Sequence, residues 1–133
     1  MYKRQGKTVR WKAHRSTADY VDLKGLFQTE DPAAGYAVCW VRSDRARRVQ
    51  LFLGSNDTMK VWVNGKVVMS QPESRAAAPA QDRVTCELAV GWNEVRVKVA
   101  NTGGPWGFYF EVRNSTGERP ATDLEFRTTR PPK

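Results

Sequence analysis

Alternation of apolar and polar residues is the dominant pattern along this chain. The segments RRVQLFL (47–53), VTCEL (84–88), NEVRVKV (93–99) and WGFYFEV (106–112) each place every second side chain on an apolar face. This period of two is typical of strands that turn one face to a core and the other to solvent. DYVDLKGLF (19–27) is compatible with a short helical turn. The pattern predicts roughly eight strands in an all-β sandwich or barrel with little helix.

Turn residues fall between these strand patterns. Asn64-Gly65 separates two of them and predicts a two-residue type I′ hairpin, because both positions tolerate a positive φ. The segment 70–83 is a longer connection that contains two prolines. Long loops in compact domains are often functional, so this loop becomes a candidate binding element.

Charge divides the chain into three parts. The net charge is +8, but residues 1–15 hold six Lys/Arg and residues 127–133 hold three, with no acidic residue in either segment. We therefore expect a basic N-terminal segment that is partly strand (1–15), a β-sandwich domain (16–126) and a C-terminal linker (127–133). A nucleic-acid site needs basic side chains gathered on the folded surface, so this distribution makes nucleic acid an unlikely partner.

The chain offers little for catalysis or metal binding. His14 is its one histidine, and Cys39 and Cys86 belong to no CxxC motif or Cys/His cluster. We therefore predict no zinc site, and the absence of a nucleophile or phosphate-loop motif predicts that the protein is not an enzyme. Both cysteines lie in strand-like runs, which favours free thiols over a disulfide. No apolar run approaches the ~18 residues of a membrane span. The start MYKRQGKTVRWK is basic but has no apolar segment behind it, so we expect that it is not a secretion signal.

Aromatic residues are numerous: five Trp, four Tyr and five Phe. Their rings can stack on sugars while neighbouring polar groups fix orientation. Phe52, Trp62 and Tyr109 lie on the face opposite their strands' clearest apolar sets, so they form an exposed platform or mark a bulge. Trp106 shares parity with Phe108, which favours a core position, yet it follows a glycine-rich loop and is also a candidate ligand contact.

Two long segments resemble a known fold family. LGSNDTMKVWVNGKVV (53–68) and DRVTCELAVGWNEVRVKVANTGGPWGFYFEV (82–112) resemble the galactose-binding-domain-like jelly rolls, especially the sugar-binding domain of family 2 glycoside hydrolases. The resemblance covers roughly residues 19–113. It implies a two-sheet antiparallel jelly-roll β-sandwich, and an accessory domain of a larger extracytoplasmic protein that is periplasmic, at the cell surface or secreted.

The stretch GSNDT…VWVNGK is also similar to the PA14 module. In that family two consecutive aspartates before a strand hold a calcium ion that contacts a glycan. Here Asn56 takes the first position and only Asp57 is acidic, which lowers the charge available to a divalent cation. We therefore predict no cofactor, with structural calcium left open. An Asx turn that starts the hairpin is the alternative.

These observations favour a non-catalytic carbohydrate-binding module whose partner is a polysaccharide or glycan. The alternative is a structural β-sandwich that braces a neighbouring domain of the same parent chain and binds no ligand. A binder exposes aromatic rings among polar groups, whereas a brace buries them in an apolar contact. The predicted ligand-binding residues are Asn56, Asp57, Trp62, Arg75, Asp82, Arg83, Asn101 and Trp106.

Overall fold

The computed structural model describes residues 2–4, 20–27, 33–101 and 104–131, and its elements are almost all strands. His14, Gly103 and most of the predicted N-terminal segment lie outside the described residues. The elements are β1 (Tyr2–Arg4), β2 (Tyr20–Asp22), α1 (Leu23–Phe27), β3 (Ala33–Ser43), β4 (Arg47–Asn56), β5 (Thr58–Val63), β6 (Lys66–Gln71), β7 (Asp82–Leu88), β8 (Gly91–Asn101), β9 (Gly107–Arg113) and β10 (Glu125–Arg127).

The strands form two sheets. One has the order β1-β3-β8-β5-β6, with β10 also paired to β3, and the other has the order β2-β9-β4-β7. Every strand pair is antiparallel. The predicted all-β, two-sheet antiparallel sandwich is confirmed, and α1 is the short helical turn expected within 19–27.

The core lies between the sheets and follows the period of two. On β8, Val95, Val97 and Val99 are buried, and on β4 Leu51 and Leu53 are buried. Each such side chain contributes about 1.5–3 kcal/mol through removal from water. The alternate side chains of the same strands point away from the core and form the outer faces of the two sheets.

The Asn64-Gly65 turn joins β5 and β6 as predicted. Asn64 has φ 52° and Gly65 has φ 79°, the positive values that a type I′ turn requires. The Asn64 side chain adds two bonds: its Nδ2 donates to Asn93 Oδ1 (2.8 Å), and its Oδ1 accepts from Glu94 N (2.9 Å). This turn therefore docks onto the start of β8. The β5–β6 register shifts between Val61 and Trp62.

Both ends of the described chain add to β3. β1 pairs with it from Tyr2↔Ala37 onward, and β10 pairs with it around Phe126↔Val41. β10 ends at Arg127, so the sandwich reaches one residue into the segment that the sequence assigns to a linker.

The two cysteines are free thiols, as predicted. Burial raises the pKa of Cys39 and of Cys86 to about 11, so both stay protonated near neutral pH. They act as small apolar residues.

Candidate functional site

The polar turn between β4 and β5 is mostly buried and is held from both sheets. The exposed fractions of Ser55, Asn56 and Asp57 are 0%, 7% and 8%. Asn56 Oδ1 accepts a hydrogen bond from the hydroxyl of Tyr20 (2.7 Å), and Asp57 N donates to the carbonyl of Ala100 (2.8 Å). The peptide bond between Asn56 and Asp57 is cis. The two hydrogen bonds, one from each sheet, fix the turn at one end of the sandwich.

Arg75 ties the long loop between β6 and β7 to this turn. Its backbone N donates to Asp57 Oδ1 (3.2 Å), and its Nη2 donates to Asp82 Oδ2 (2.5 Å) and to Ser55 Oγ (3.1 Å). The side chains of Arg75 and Asp82 are 19% and 26% exposed, so the ion pair is only partly screened by water. Three predicted site residues, Asp57, Arg75 and Asp82, therefore meet in one cluster, and Asn56 directly precedes Asp57.

The same loop lies directly on the end of β4. A Cβ placed on Gly54 would lie 1.9 Å from the carbonyl oxygen of Ala78, so only glycine fits at that position. Gln81 bridges the loop to the strand: its Oε1 accepts from Ser55 N (3.0 Å) and its Nε2 donates to Ala76 O (2.6 Å). The loop is therefore fixed at both its start and its end.

Asn101 and Trp106 take structural positions. Asn101 is 3% exposed and donates to the carbonyl of Gly104 (3.3 Å). Trp106 is 1% exposed, and its Nε1 donates to the carbonyl of Val99 (3.0 Å). Trp106 therefore presents no ring face to a ligand. Its core position is the one that its parity with Phe108 indicates.

Trp62 and Arg83 lie apart from the cluster and from each other. Trp62 is on the outer face of the six-stranded sheet, where Lys60 Nζ lies 5.3 Å from its ring centroid. Arg83 is on the outer face of the four-stranded sheet, with its guanidinium carbon 4.8 Å from the ring centroid of Phe52. The expected platform of Phe52, Trp62 and Tyr109 is thus divided between the two sheets.

A cleft between the long loop and the outer face of β4 and β9 completes the site. Its volume is about 180 Å³, and it is lined by Phe52, Pro79, Ala80, Tyr109, Phe110, Glu111 and Arg113. Phe52 is only 3% exposed, because the guanidinium groups of Arg113 and Arg83 lie 3.9 Å and 4.8 Å from its ring centroid on the outer face of the sheet. Parity indicated Phe52 and Tyr109, but no sequence signal placed the Pro79–Ala80 loop above them.

Tyr20 joins the turn to the cleft. Its ring lies against that of Tyr109, with centroids 5.1 Å apart and an interplanar angle of 53°. Burial, and then the negative charge of Asp22, raise the pKa of Tyr20 to about 12. Its hydroxyl therefore stays protonated and remains a donor to Asn56.

Metal ligands are sparse in the part of the chain that the structure describes. It holds no group of three or more His, Cys, Asp or Glu side chains that could bind a metal ion. Asp57 and Asp82 both lie beside the β6–β7 loop. Arg75 of this loop donates a hydrogen bond to each carboxylate, which places a positive charge where a metal ion would bind. No helix among these residues is long and apolar enough to cross a membrane.

Comparison with known proteins adds one distant structural match. No protein-family model matches the chain, and no curated protein sequence matches it. The fold is similar to the crystal structure of the PA14 domain of the MpAFP antifreeze protein, with a TM-score of 0.57 and 12% sequence identity. The match covers 67% of this chain and 47% of that chain, about half its length. It supports a PA14-like β-sandwich, whereas the resemblance to galactose-binding and family 2 glycosidase domains stays a prediction.

Proposed function

We propose that this domain is a non-catalytic carbohydrate-binding module that holds a sugar residue in the cleft beside Tyr109. The single observation that carries the proposal is the cleft itself, in which aromatic, anionic and cationic side chains converge under a fixed loop. Small-molecule sites typically combine apolar walls with a few polar groups that fix orientation.

The lining suits a sugar. The half-buried ring of Tyr109 offers an apolar surface for sugar C–H groups and a hydroxyl at its edge. Glu111 can accept hydrogen bonds from sugar hydroxyls, and Arg113 can donate to their oxygens. Arg113 is itself oriented, since it donates to the Glu111 carboxylate and to the carbonyl of Gly117 (3.1 Å).

The size of the cleft limits the ligand. Its volume of about 180 Å³ is below the ~300–1,000 Å³ of pockets that enclose a drug-sized ligand. It therefore fits one sugar residue or the end of a glycan better than a long oligosaccharide enclosed along its length.

The cluster around Arg75 holds the long loop in a fixed position. Arg75, Ser55 and Asp82 hold the loop whose Pro79–Ala80 segment forms one wall of the cleft. A wall that is already ordered before binding costs less conformational entropy when the ligand arrives. The cluster therefore positions the site without contacting the sugar, and the module needs no bound calcium for this role. We place the parent protein outside the cytoplasm, where free glycans and cell-surface polysaccharides occur.

A glycan-array screen of the purified chain, followed by calorimetric titration of each hit, tests the proposal. Tyr109→Ala should weaken binding by about 1–3 kcal/mol, the range for loss of an aromatic stacking surface. Phe126→Ala is the matched control, because Phe126 is a half-exposed aromatic on β10 of the other sheet. It should bind like the parent chain.

Two results would overturn the proposal. If no glycan binds the parent chain, the domain is better explained as a brace for a neighbouring domain. If a glycan binds and Tyr109→Ala is folded but binds equally well, the sugar site lies elsewhere.

A further inference from the structure

The outer face of the six-stranded sheet carries aromatic and basic side chains in neighbouring positions. Because Val95, Val97 and Val99 point into the core, the alternate residues of β8 point outward. The strand register then aligns outward residues of β3, β5 and β8. We call this surface the aromatic–basic face, defined by Tyr36, Trp40, Lys60, Trp62, Trp92 and Lys98.

Cations lie over the rings of this face. Lys98 Nζ is 5.7 Å from the ring centroid of Tyr36, and Lys60 Nζ is 5.3 Å from that of Trp62. Both separations are within the ~6 Å of a cation–π contact. The rings thereby hold two ammonium groups on the sheet surface, and the aliphatic stems of the lysines lie along apolar surface.

The two ammonium groups pair with no acid of the described residues. Lys60 lies directly opposite Lys98 in the strand register, an arrangement of like charges that destabilises a sheet. Within the described part of the chain, neither lysine has a carboxylate oxygen within 4.0 Å, whereas the neighbouring Arg96 pairs with Glu94 at 3.3 Å. An acidic ligand on this face would supply the negative charge that the two ammonium groups lack.

The geometry points to an acidic polysaccharide as the occupant: we propose that its carboxylate or sulfate groups pair with Lys60 and Lys98. Its hydroxyl oxygens then accept hydrogen bonds from the N–H groups of the same cations. This site goes beyond the proposed function, because it lies on the sheet opposite the Tyr109 cleft and needs none of the cleft residues.

The dimensions of the face suit a polymer. From Trp92 to Lys98, β8 rises ~20 Å at ~3.4 Å per residue, and the three strands β3, β8 and β5 span ~10 Å at ~4.8 Å per spacing. Several consecutive sugar residues can therefore contact it at once.

The covered rings favour an acidic polysaccharide over single-stranded nucleic acid. Bases bind such sheets by stacking on open aromatic faces. Here Lys98 lies over Tyr36 and Lys60 over Trp62, and Arg127 lies over Trp92 with its guanidinium carbon 5.6 Å from the centroid. The face therefore presents cations and their N–H donors where a base would need an open ring.

The test measures affinity of the full chain for four probes: polygalacturonate, dextran sulfate, neutral dextran and single-stranded poly(dT). We expect the two acidic polysaccharides to bind, neutral dextran not to bind, and poly(dT) to bind more weakly than either acid. Affinity should fall as NaCl rises from about 50 to about 200 mM, because bound counterions are released.

Paired substitutions locate the site. Lys60→Gln with Lys98→Gln should lower affinity for polygalacturonate about tenfold or more. Thermal stability should stay close to that of the parent chain, since two weak surface cation–π contacts are lost while one like-charge pair is removed. The charge-matched control is Arg48→Gln with Lys66→Gln, two exposed basic residues off this face. It should bind within about twofold of the parent chain.

The proposal is overturned if neither acidic polysaccharide binds, if poly(dT) binds most tightly, or if the two double variants lose affinity equally. The Lys60/Lys98 variant should keep the affinity of the Tyr109 cleft for its glycan. The experiments can therefore refute the acidic-polysaccharide site without refuting the sugar site in the cleft, and the reverse.

Discussion

Replacing Trp106 by alanine tests whether this residue belongs to the core. The ring is 1% exposed, and its Nε1 donates to the carbonyl of Val99 at 3.0 Å. Loss of a buried tryptophan costs about 3–5 kcal/mol through lost transfer energy and the cavity left behind. The unpaired carbonyl adds about 1–3 kcal/mol unless water reaches it. Since whole domains are stable by about 5–15 kcal/mol, Trp106→Ala should lose about a fifth or more of the free energy of unfolding.

Trp106→Phe separates packing from the hydrogen bond. It keeps an aromatic ring in the core but leaves the Val99 carbonyl without its donor, so it should cost about 1–3 kcal/mol. Urea unfolding followed by circular dichroism measures both variants against the parent chain, and an unchanged m value shows that the unfolded states are comparable. Trp106→Ala within about 1 kcal/mol of the parent would refute the core assignment. The phenylalanine variant should also bind glycan like the parent, because the ring faces no ligand.

Three further predictions concern the turn and its loop. Arg75→Ala should lower the free energy of unfolding by about 1–3 kcal/mol, because Asp82 and the turn lose a partly buried charged partner. Gly54→Ala should displace the loop and cost about 1–3 kcal/mol, because its Cβ would lie 1.9 Å from the Ala78 carbonyl. Burial raises the pKa of Tyr20 from 10.0 to about 12, so the folded state holds the proton more tightly, and stability should fall as pH rises between these values.

Each of these predictions has a control. Arg75→Ala and Asp82→Asn should be non-additive in a double-mutant cycle, and additive effects would contradict the ion pair. Gly54→Ala should speed proteolytic cleavage of the 72–81 loop, and an unchanged rate would contradict the close contact. Tyr20→Phe should remove part of the alkaline loss of stability, and identical pH profiles for parent and variant would contradict the raised pKa of Tyr20.

The fold was predictable because strand patterns are local. The parity of Val95, Val97 and Val99 identified the buried face of β8, and Asn64-Gly65 identified the hairpin turn. Parity within one strand cannot show that Lys60 and Lys98 face each other, since register depends on how two strands pair along their whole length.

The candidate site was predictable only in part. The sequence indicated Asp57, Arg75 and Asp82, and the structure brings them together through hydrogen bonds. It did not predict that they anchor a loop, because loop paths depend on tertiary contacts such as the approach of Ala78 to Gly54.

Chemical-shift perturbation of the backbone amides during titration with the array-selected glycan tests the central claim most directly. The account predicts that the largest shifts map to the cleft, at Ala80, Tyr109 and Glu111, and that they saturate together at one dissociation constant. Shifts confined to the six-stranded sheet around Trp62, or no saturable shifts at the cleft with a glycan that binds, would contradict it.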